Sequence, residues 1–168
     1  MDDSYVEDAL NTAEQAFQDT RGQSSETDLD VSDEALVQLR KACRLLEAAR
    51  TLRSQNGYYT VVIEASFVAI ERSIQFYLFH QGQAAGEDLR HEHTAVYQRG
   101  AEVNLFSESF AARLIQLWQQ NRAEVYYRET VASAEQADAM LQLAEDLHRY
   151  LRKFASLRHE CVCSDYDD

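Results

Sequence analysis

The sequence predicts an all-α protein, an up-and-down antiparallel helical bundle with an extra helix at its N-terminus. Three observations support this class. The 168 residues contain no proline and only five glycines, so residues that end helices are rare. Apolar residues recur at intervals of three and four over several long segments, which is the helical period. Alternation of apolar and polar residues, the pattern of a half-buried strand, does not extend over a useful length.

Residues 1–31 are predicted to form a short helix and a flexible linker. Tyr5, Ala9, Ala13 and Phe17 recur every four residues, which indicates one apolar helical face. The following stretch, 21–28, is polar and favours a linker. We expect this helix to be an appendage or an arm that docks on a partner subunit.

The second and third helices are predicted over residues 32–54 and 58–80. Ser32 is a good N-cap residue, and the two acidic residues after it favour the helix dipole. Asn56 and Gly57 can adopt positive φ and therefore mark the end of the second helix. The third helix is apolar on most sides, which is typical of the central helix of a bundle.

Among the polar side chains of the mostly apolar third helix, three leave two interpretations open. Glu64, Glu71 and Tyr77 either lie partly buried in a functional site or point through a gap to solvent. The sequence favours the second interpretation, since charged side chains are seldom buried without a partner.

Three further helices complete the bundle, which spans residues 32–157. A short fourth helix begins near His93, and Ser107 is an N-cap for a fifth helix over 108–128. A sixth helix begins at residue 133 or 134 and continues to about 156. Residues 158–168 are predicted to be a polar, acidic, solvated tail.

The charge balance is strongly acidic. Asp and Glu number 29 against 16 Lys and Arg, a formal net charge of −13, and Lys41 and Lys153 are the only lysines. Carboxylate excess with few lysines suggests a chain adapted to a high-salt, halophilic cytosol, where self-repulsion is screened; a merely acidic protein is the alternative. No basic footprint for nucleic acid exists over the whole chain, so an RNA contact would be local.

No membrane-length apolar run and no signal peptide is found, and we expect a cytoplasmic protein.

Two weak metal-ligand patterns occur, and neither is expected to bind a metal. In His91-Glu92-His93, histidines two apart on a helix point in different directions. The C-terminal set of His159, Cys161 and Cys163 lacks a fourth ligand nearby in the sequence. Cys43 lies on the apolar face of its helix and is interpreted as a core residue. The sequence therefore predicts neither a metal nor a cofactor.

A dense polar segment at the end of the fifth helix is the predicted site. It contains Arg122, Glu124, Tyr126 and Tyr127 within six positions. Arg122 and Tyr126 are four residues apart and share a helical face, whereas Arg122 and Tyr127 are about 140° apart on an ideal helix. The latter two converge only if the helix ends there or a second subunit contributes. The alternative is structural: Arg122 pairs with a carboxylate such as Glu64 or Glu71, and the tyrosines cap the bundle.

Five segments of the chain follow one another in a recognisable order, at residues 46–50, 56–59, 65–71, 93–96 and 122–127. Their order and spacing resemble those of a HEPN domain, the nucleotide-binding helical domain shared by higher eukaryotes and prokaryotes. The resemblance covers residues 35–156.

The resemblance implies a homodimer whose motifs face a shared cleft, with a role in toxin–antitoxin or defence systems. Many HEPN proteins are metal-independent endoribonucleases, often encoded beside a small nucleotidyltransferase. Their catalytic arginine is followed after four to six residues by histidine, whereas here Tyr127 follows Arg122. Tyrosine, with a reference pKa near 10, is a poor general base at pH 7.

Two functions are therefore carried forward, with a purely structural interaction module as the third possibility. In the first, a dimer cleft binds a nucleotide, RNA or a partner protein through Arg122, Glu124, Tyr126 and His93, with weak or no nuclease activity. In the second, Arg122 and Tyr127 are the catalytic residues of a toxin endoribonuclease, and His93 can replace the missing histidine.

Overall fold

The computed structural model describes residues 4–18, 32–83, 93–122, 131–155 and 159–163. All regular elements of these residues are helices, and the chain divides into two compact units, Met1–Asp30 and Val31–Asp168. The helices are α1 Ser4–Gln18, α2 Glu34–Ser54, α3 Tyr59–His80, α4 His93–Glu102, α5 Glu108–Asn121 and α6 Ala134–Arg152. The all-α prediction is confirmed.

Helix α3 is the centre of the second unit and packs against α2, α4 and α6. Its apolar residues point to several sides, which is why one helix can contact three others. The largest buried side chains of this helix include Ile70, Ile74, Phe76 and Leu78, all with no exposed surface. The apolar composition of α3 therefore produces the central position that the sequence predicts.

Contacts between the helices define their directions. Arg50 of α2 bonds to Glu145 of α6, and Arg53, one turn further along α2, bonds to Asp138, almost two turns earlier in α6. Helices α2 and α6 are therefore antiparallel. A four-residue turn joins α2 to α3, with Asn56 at φ 53° and Gly57 at φ 143°. These positive φ values agree with the predicted helix stop.

Capping side chains fix three helix starts. Ser107 accepts a hydrogen bond from the backbone N–H of Phe110, as predicted for α5. Ser133 and Gln136 form a reciprocal capping box at α6. At α2 the predicted cap is one residue too early: Asp33, not Ser32, accepts the N–H of Leu36. The Asp33 carboxyl group also binds His159, and this tertiary contact is not visible in local sequence.

None of the helices that the structure describes has both the length and the apolar character that crossing a bilayer requires.

The C-terminal residues that the structure describes, 159–163, pack on the bundle. The side chain of His159 is 12% exposed, and its Nε2 lies 2.9 Å from the Asp33 carboxyl group. Cys161 and Cys163 contact a buried cluster that contains Leu39, Cys43 and Phe76. The expectation of a solvated tail is wrong for His159, Cys161 and Cys163, because they find partners at the cap of α2, on α2 and on α3 that are at least 79 positions away in sequence.

Candidate functional site

A connected set of polar and aromatic side chains joins α3, α4 and the end of α5. We call it the polar network. Its members are Glu64, Glu71, His93, Tyr97, Trp118, Asn121 and Arg122.

One half of the network is centred on the Glu64 carboxyl group. Asn121 Nδ2 donates to Glu64 Oε1 at 2.7 Å, and Arg122 Nη2 lies 3.4 Å from Glu64 Oε2. Helix α5 ends at Asn121, so these two consecutive residues reach the same carboxyl group of α3. The pairing of Arg122 with Glu64 is the one that the alternative, structural interpretation of the sequence expected. The side chains of Arg122 and Glu64 each keep 27% of their surface exposed, so solvent still reaches the pair.

The other half is centred on Glu71, which is 5% exposed. His93 Nδ1 lies 2.9 Å from Glu71 Oε2, and the Tyr97 hydroxyl donates to Glu71 Oε1 at 3.3 Å. The expectation that Glu71 points to solvent is wrong, because α4 covers this side of α3. A buried carboxyl group needs such donors, since leaving it without them would be costly.

Trp118 links the two halves. The His93 ring stacks on its indole at a centroid distance of 5.7 Å and an interplanar angle of 28°. The Arg122 guanidinium carbon lies 5.2 Å from the indole centroid, a cation–π distance. Trp118 is the only tryptophan of the chain and lies four residues before Arg122, on the same helical face. That spacing is the signal that could have included Trp118 in the predicted site.

The structure thus brings two of the predicted site residues, Arg122 and His93, into contact with the same side chain, the indole of Trp118. Glu124, Tyr126 and Tyr127 lie outside the residues that the structure describes, so their roles stay predictions. Asn121 and Tyr97 were not predicted as site residues, because no local pattern distinguishes them from ordinary helix positions. Glu71 was considered for a functional site, but the sequence favoured a solvent-facing position for it.

An apolar groove begins beside the network. Asn121 is one of its lining residues, and α3, α5 and α6 form its walls. The main apolar side chains are Ile63, Phe67, Leu117, Met140 and Leu143. A ligand whose charged group binds the network could place an apolar or aromatic part here.

Burial and the neighbouring Glu71 carboxyl group raise the pKa of Tyr97 above its ordinary value of 10.0. In the unfolded chain this phenol ionises near that value, whereas the folded protein retains its proton to higher pH. The folded state therefore binds more protons above about pH 10, and stability should fall as the pH rises past that value. In a phenolate absorbance titration, we expect Tyr97 to ionise only when the protein unfolds.

The matched variant for this titration is Tyr97→Phe. It should remove one ionising group from the alkaline unfolding step and leave the other eight tyrosines unchanged. The raised pKa of Tyr97 would be contradicted if Tyr97 ionised near pH 10 while the protein is still folded. In that case Tyr97→Phe would reduce the phenolate absorbance at a pH below the unfolding transition.

A second cluster of side chains lies where α2, α6 and the C-terminal residues meet. Among the residues described, one group of three or more histidine, cysteine or acidic side chains could hold a metal ion. It consists of Cys43, His148, Cys161 and Cys163, and their ligand atoms all lie within 4.8 Å of one another. This differs from the expectation of no metal site. The sequence offered His159 as the histidine of this set, but His159 binds Asp33 instead. In the other weak metal-ligand pattern, His91-Glu92-His93, the first two residues lie outside the part of the chain that the structure describes.

Comparison with known proteins assigns the chain to a family. Residues 1–163 match the family model described as Domain of unknown function (DUF8154), and the chain belongs to this family. No curated protein and no solved structure matches it.

Proposed function

We propose that this member of the DUF8154 family is a HEPN-like protein that binds a phosphate-bearing ligand, a nucleotide or single-stranded RNA, at the polar network, in the cleft of a homodimer. The observation that carries the proposal is the arrangement of Arg122 and His93 around the single indole of Trp118.

The chemistry of these three side chains suits a nucleotide. A guanidinium binds phosphate oxygens with two parallel hydrogen bonds, and an aromatic ring offers a stacking surface for a base. The ion pair between Arg122 and Glu64 measures 3.4 Å, which is longer than a close charge-assisted hydrogen bond. A phosphate would compete with Glu64 for the guanidinium, and Asn121 would retain Glu64 through its own hydrogen bond of 2.7 Å.

The acidic surface limits the size of the ligand. A net charge of −13 repels a polyanion at low ionic strength, and this repulsion weakens as salt shortens the Debye length. We therefore propose that the site takes a mononucleotide or a few nucleotides of single-stranded RNA, in a high-salt cytosol, and not a long duplex.

A second candidate function is endoribonuclease activity, and the bond between His93 and Glu71 favours it. Donation from Nδ1 to a buried carboxyl group makes Nε2 the basic nitrogen of this ring. The side chain of His93 is 56% exposed, so a ligand can approach its ring. In that reaction His93 or Tyr127 would assist proton transfer, and Arg122 would stabilise charge on the scissile phosphate.

The proposed partners are a second copy of the chain and a protein of the nucleotidyltransferase type, in a toxin–antitoxin or defence setting. Sedimentation equilibrium tests the first partner. An adjacent reading frame for a small nucleotidyltransferase would support the second.

Substitution of Arg122 tests the site. We expect Arg122→Ala to weaken binding of ATP, or of a short fluorescein-labelled single-stranded oligoribonucleotide, by about tenfold or more, equivalent to ~1.4 kcal/mol. Trp118→Leu should have a similar effect, because it removes both the stacking surface and the support of Arg122. Titrations in low and molar KCl measure the affinities. RNA cleavage is assayed on the same samples.

The matched control is Arg149→Ala, which removes the same charge from an exposed position of α6 beside Asp146. It should bind like the wild type. Equal binding by Arg122→Ala and wild type, or no binding by folded wild type at any salt concentration, would refute the nucleotide proposal. Cleavage that disappears in both Arg122→Ala and His93→Ala would establish the second candidate.

A further inference from the structure

The side chains of Cys43, His148, Cys161 and Cys163 point into one small volume, which we call the thiol cluster. Cys43 lies in the middle of α2, His148 lies near the end of α6, and the two other cysteines belong to the C-terminal segment. Three parts of the chain that are distant in sequence therefore contribute to it. This cluster is independent of the polar network and of the function proposed for it.

The distances within the thiol cluster match those of a tetrahedral metal site. Ligand bonds of about 2.3 Å to sulfur and about 2.0 Å to nitrogen place two sulfurs ~3.8 Å apart and a sulfur and a nitrogen ~3.5 Å apart. Cys43 Sγ lies 3.3 Å from Cys161 Sγ and 3.7 Å from His148 Nε2. His148 Nε2 is 3.2 Å from the sulfurs of both Cys161 and Cys163. These four distances differ from the tetrahedral values by about half an ångström or less, and all the donor atoms lie within 4.8 Å of one another.

The other ring nitrogen of His148 is held in the way that metal-binding histidines require. Ser73 Oγ donates to the carbonyl of Ala69 at 2.8 Å and lies 2.9 Å from His148 Nδ1. Because the one hydroxyl proton is used on Ala69, Ser73 accepts from Nδ1–H, and Nε2 presents its lone pair to the cysteines. Both side chains are buried, so this tautomer is fixed by the fold.

The backbone also supports a thiolate. The N–H of Cys163 donates to Cys161 Sγ at 3.3 Å, and such bonds favour the charged form of sulfur. Nearby, His159 binds Asp33 Oδ2 at 2.9 Å, and its Nδ1 lies 2.9 Å from Nδ1 of His80. These contacts hold the C-terminal segment beside α2 and α3 with its two cysteines directed inward.

A disulfide and simple core packing explain the cluster less well. One disulfide would involve only two of the three cysteines. It would not explain why the third thiol and His148 Nε2 lie at the same place. Core packing explains a buried Cys43, but Cys161 and Cys163 are only partly buried. Packing alone also does not account for a buried histidine that turns one nitrogen to three sulfurs.

We propose that Cys43, His148, Cys161 and Cys163 bind one Zn²⁺ ion as a closed structural site. Three sulfurs and one imidazole in a tetrahedron are a ligand set that selects zinc among the common divalent metals. Binding releases the three thiol protons, and the ion with three thiolates and a neutral imidazole carries a net charge of −1. Four protein ligands leave no open position, so the ion fastens the C-terminal segment to α2 and α6.

Metal analysis of the full-length protein tests this proposal. Protein refolded with zinc and then dialysed should retain about one zinc ion per chain. Protein loaded with Co²⁺ should show a thiolate-to-cobalt charge-transfer band and the intense visible bands of tetrahedral cobalt. Removal of zinc with a chelator should increase the rate at which a maleimide labels the cysteines, and added zinc should reverse that increase.

Variants assign the ligands. The double variant Cys161→Ser/Cys163→Ser should lose zinc and the cobalt spectrum while it retains helical circular dichroism. Cys163→His keeps a ligand and should retain zinc with an altered cobalt spectrum. The control is His93→Ala, which removes a histidine outside the cluster and should bind zinc like the wild type.

Two results would overturn the proposal. The first is folded wild-type protein that takes up neither zinc nor cobalt. The second is full zinc occupancy in the double serine variant, which would place the ion elsewhere. If the serine variants do not fold, the chelator and maleimide measurements on wild-type protein decide the question, since protection of the thiols that does not depend on zinc contradicts the site.

Discussion

Phe76→Ala is expected to lower the free energy of unfolding by about 3–5 kcal/mol, the usual cost of truncating a buried phenylalanine. Phe76 has no exposed surface and lies in a cluster with Ala35, Leu39 and Cys43. Its ring stacks on His80 at 5.6 Å and meets the edge of His159 at 6.1 Å. The cavity would therefore lie under the C-terminal segment, which cannot collapse into it without losing its own hydrogen bonds.

Urea unfolding followed by circular dichroism measures this change. The matched control is Val61→Ala on the same helix, where the side chain is 50% exposed and a loss below about 0.5 kcal/mol is expected. A loss for Phe76→Ala as small as that of Val61→Ala would show that Phe76 is not part of a packed core. Because Phe76 contacts Cys43 and His159, the variant should also label faster with maleimide.

Glu71→Ala is expected to be the second strongly destabilising change, by about 1–3 kcal/mol for the donor that it leaves unsatisfied, with a further loss for the cavity. The Tyr97 hydroxyl would lose its acceptor at a position with no exposed surface, and His93 would lose the bond that orients its ring. The variant should also weaken ligand binding at the polar network, since His93 would no longer be held against Trp118.

Glu71→Gln separates the two effects, because the amide keeps an acceptor oxygen and nearly the same volume. Its loss of stability should be clearly smaller than that of Glu71→Ala. Glu102→Ala, at an exposed position of α4, is the surface control and should be near neutral. Equal stability of Glu71→Ala and Glu102→Ala in urea would contradict the buried role of Glu71.

The helices could be predicted from the sequence because their signals are local. The period of three and four, the Ser107 cap and the Asn56-Gly57 stop involve residues within a few positions of one another. The central position of α3 could also be predicted, since a helix that is apolar on most sides must be covered on most sides. The error at the start of α2 arose where a distant residue, His159, contacts the cap.

The sites could be predicted only in part. Arg122 stood out through its local motif and His93 through the family resemblance, and the structure brings both to Trp118. Glu71 was expected at the surface, because burial of one face of α3 depends on where α4 packs. Cys43 was interpreted as core alone, because its neighbours Cys161 and His148 are more than 100 positions away in sequence.

The sequence by itself determined that this protein is all-helical, where its helices begin within a few residues, and which helix is central. These properties follow from hydrogen bonds and apolar periodicity within single segments. Only the tertiary structure decided which polar side chains share a site, because the partners of Glu71, Arg122 and the three cysteines come from different helices. A chain folds by burying apolar faces. Which polar groups meet when those faces pack cannot be predicted from the residues next to them in the sequence.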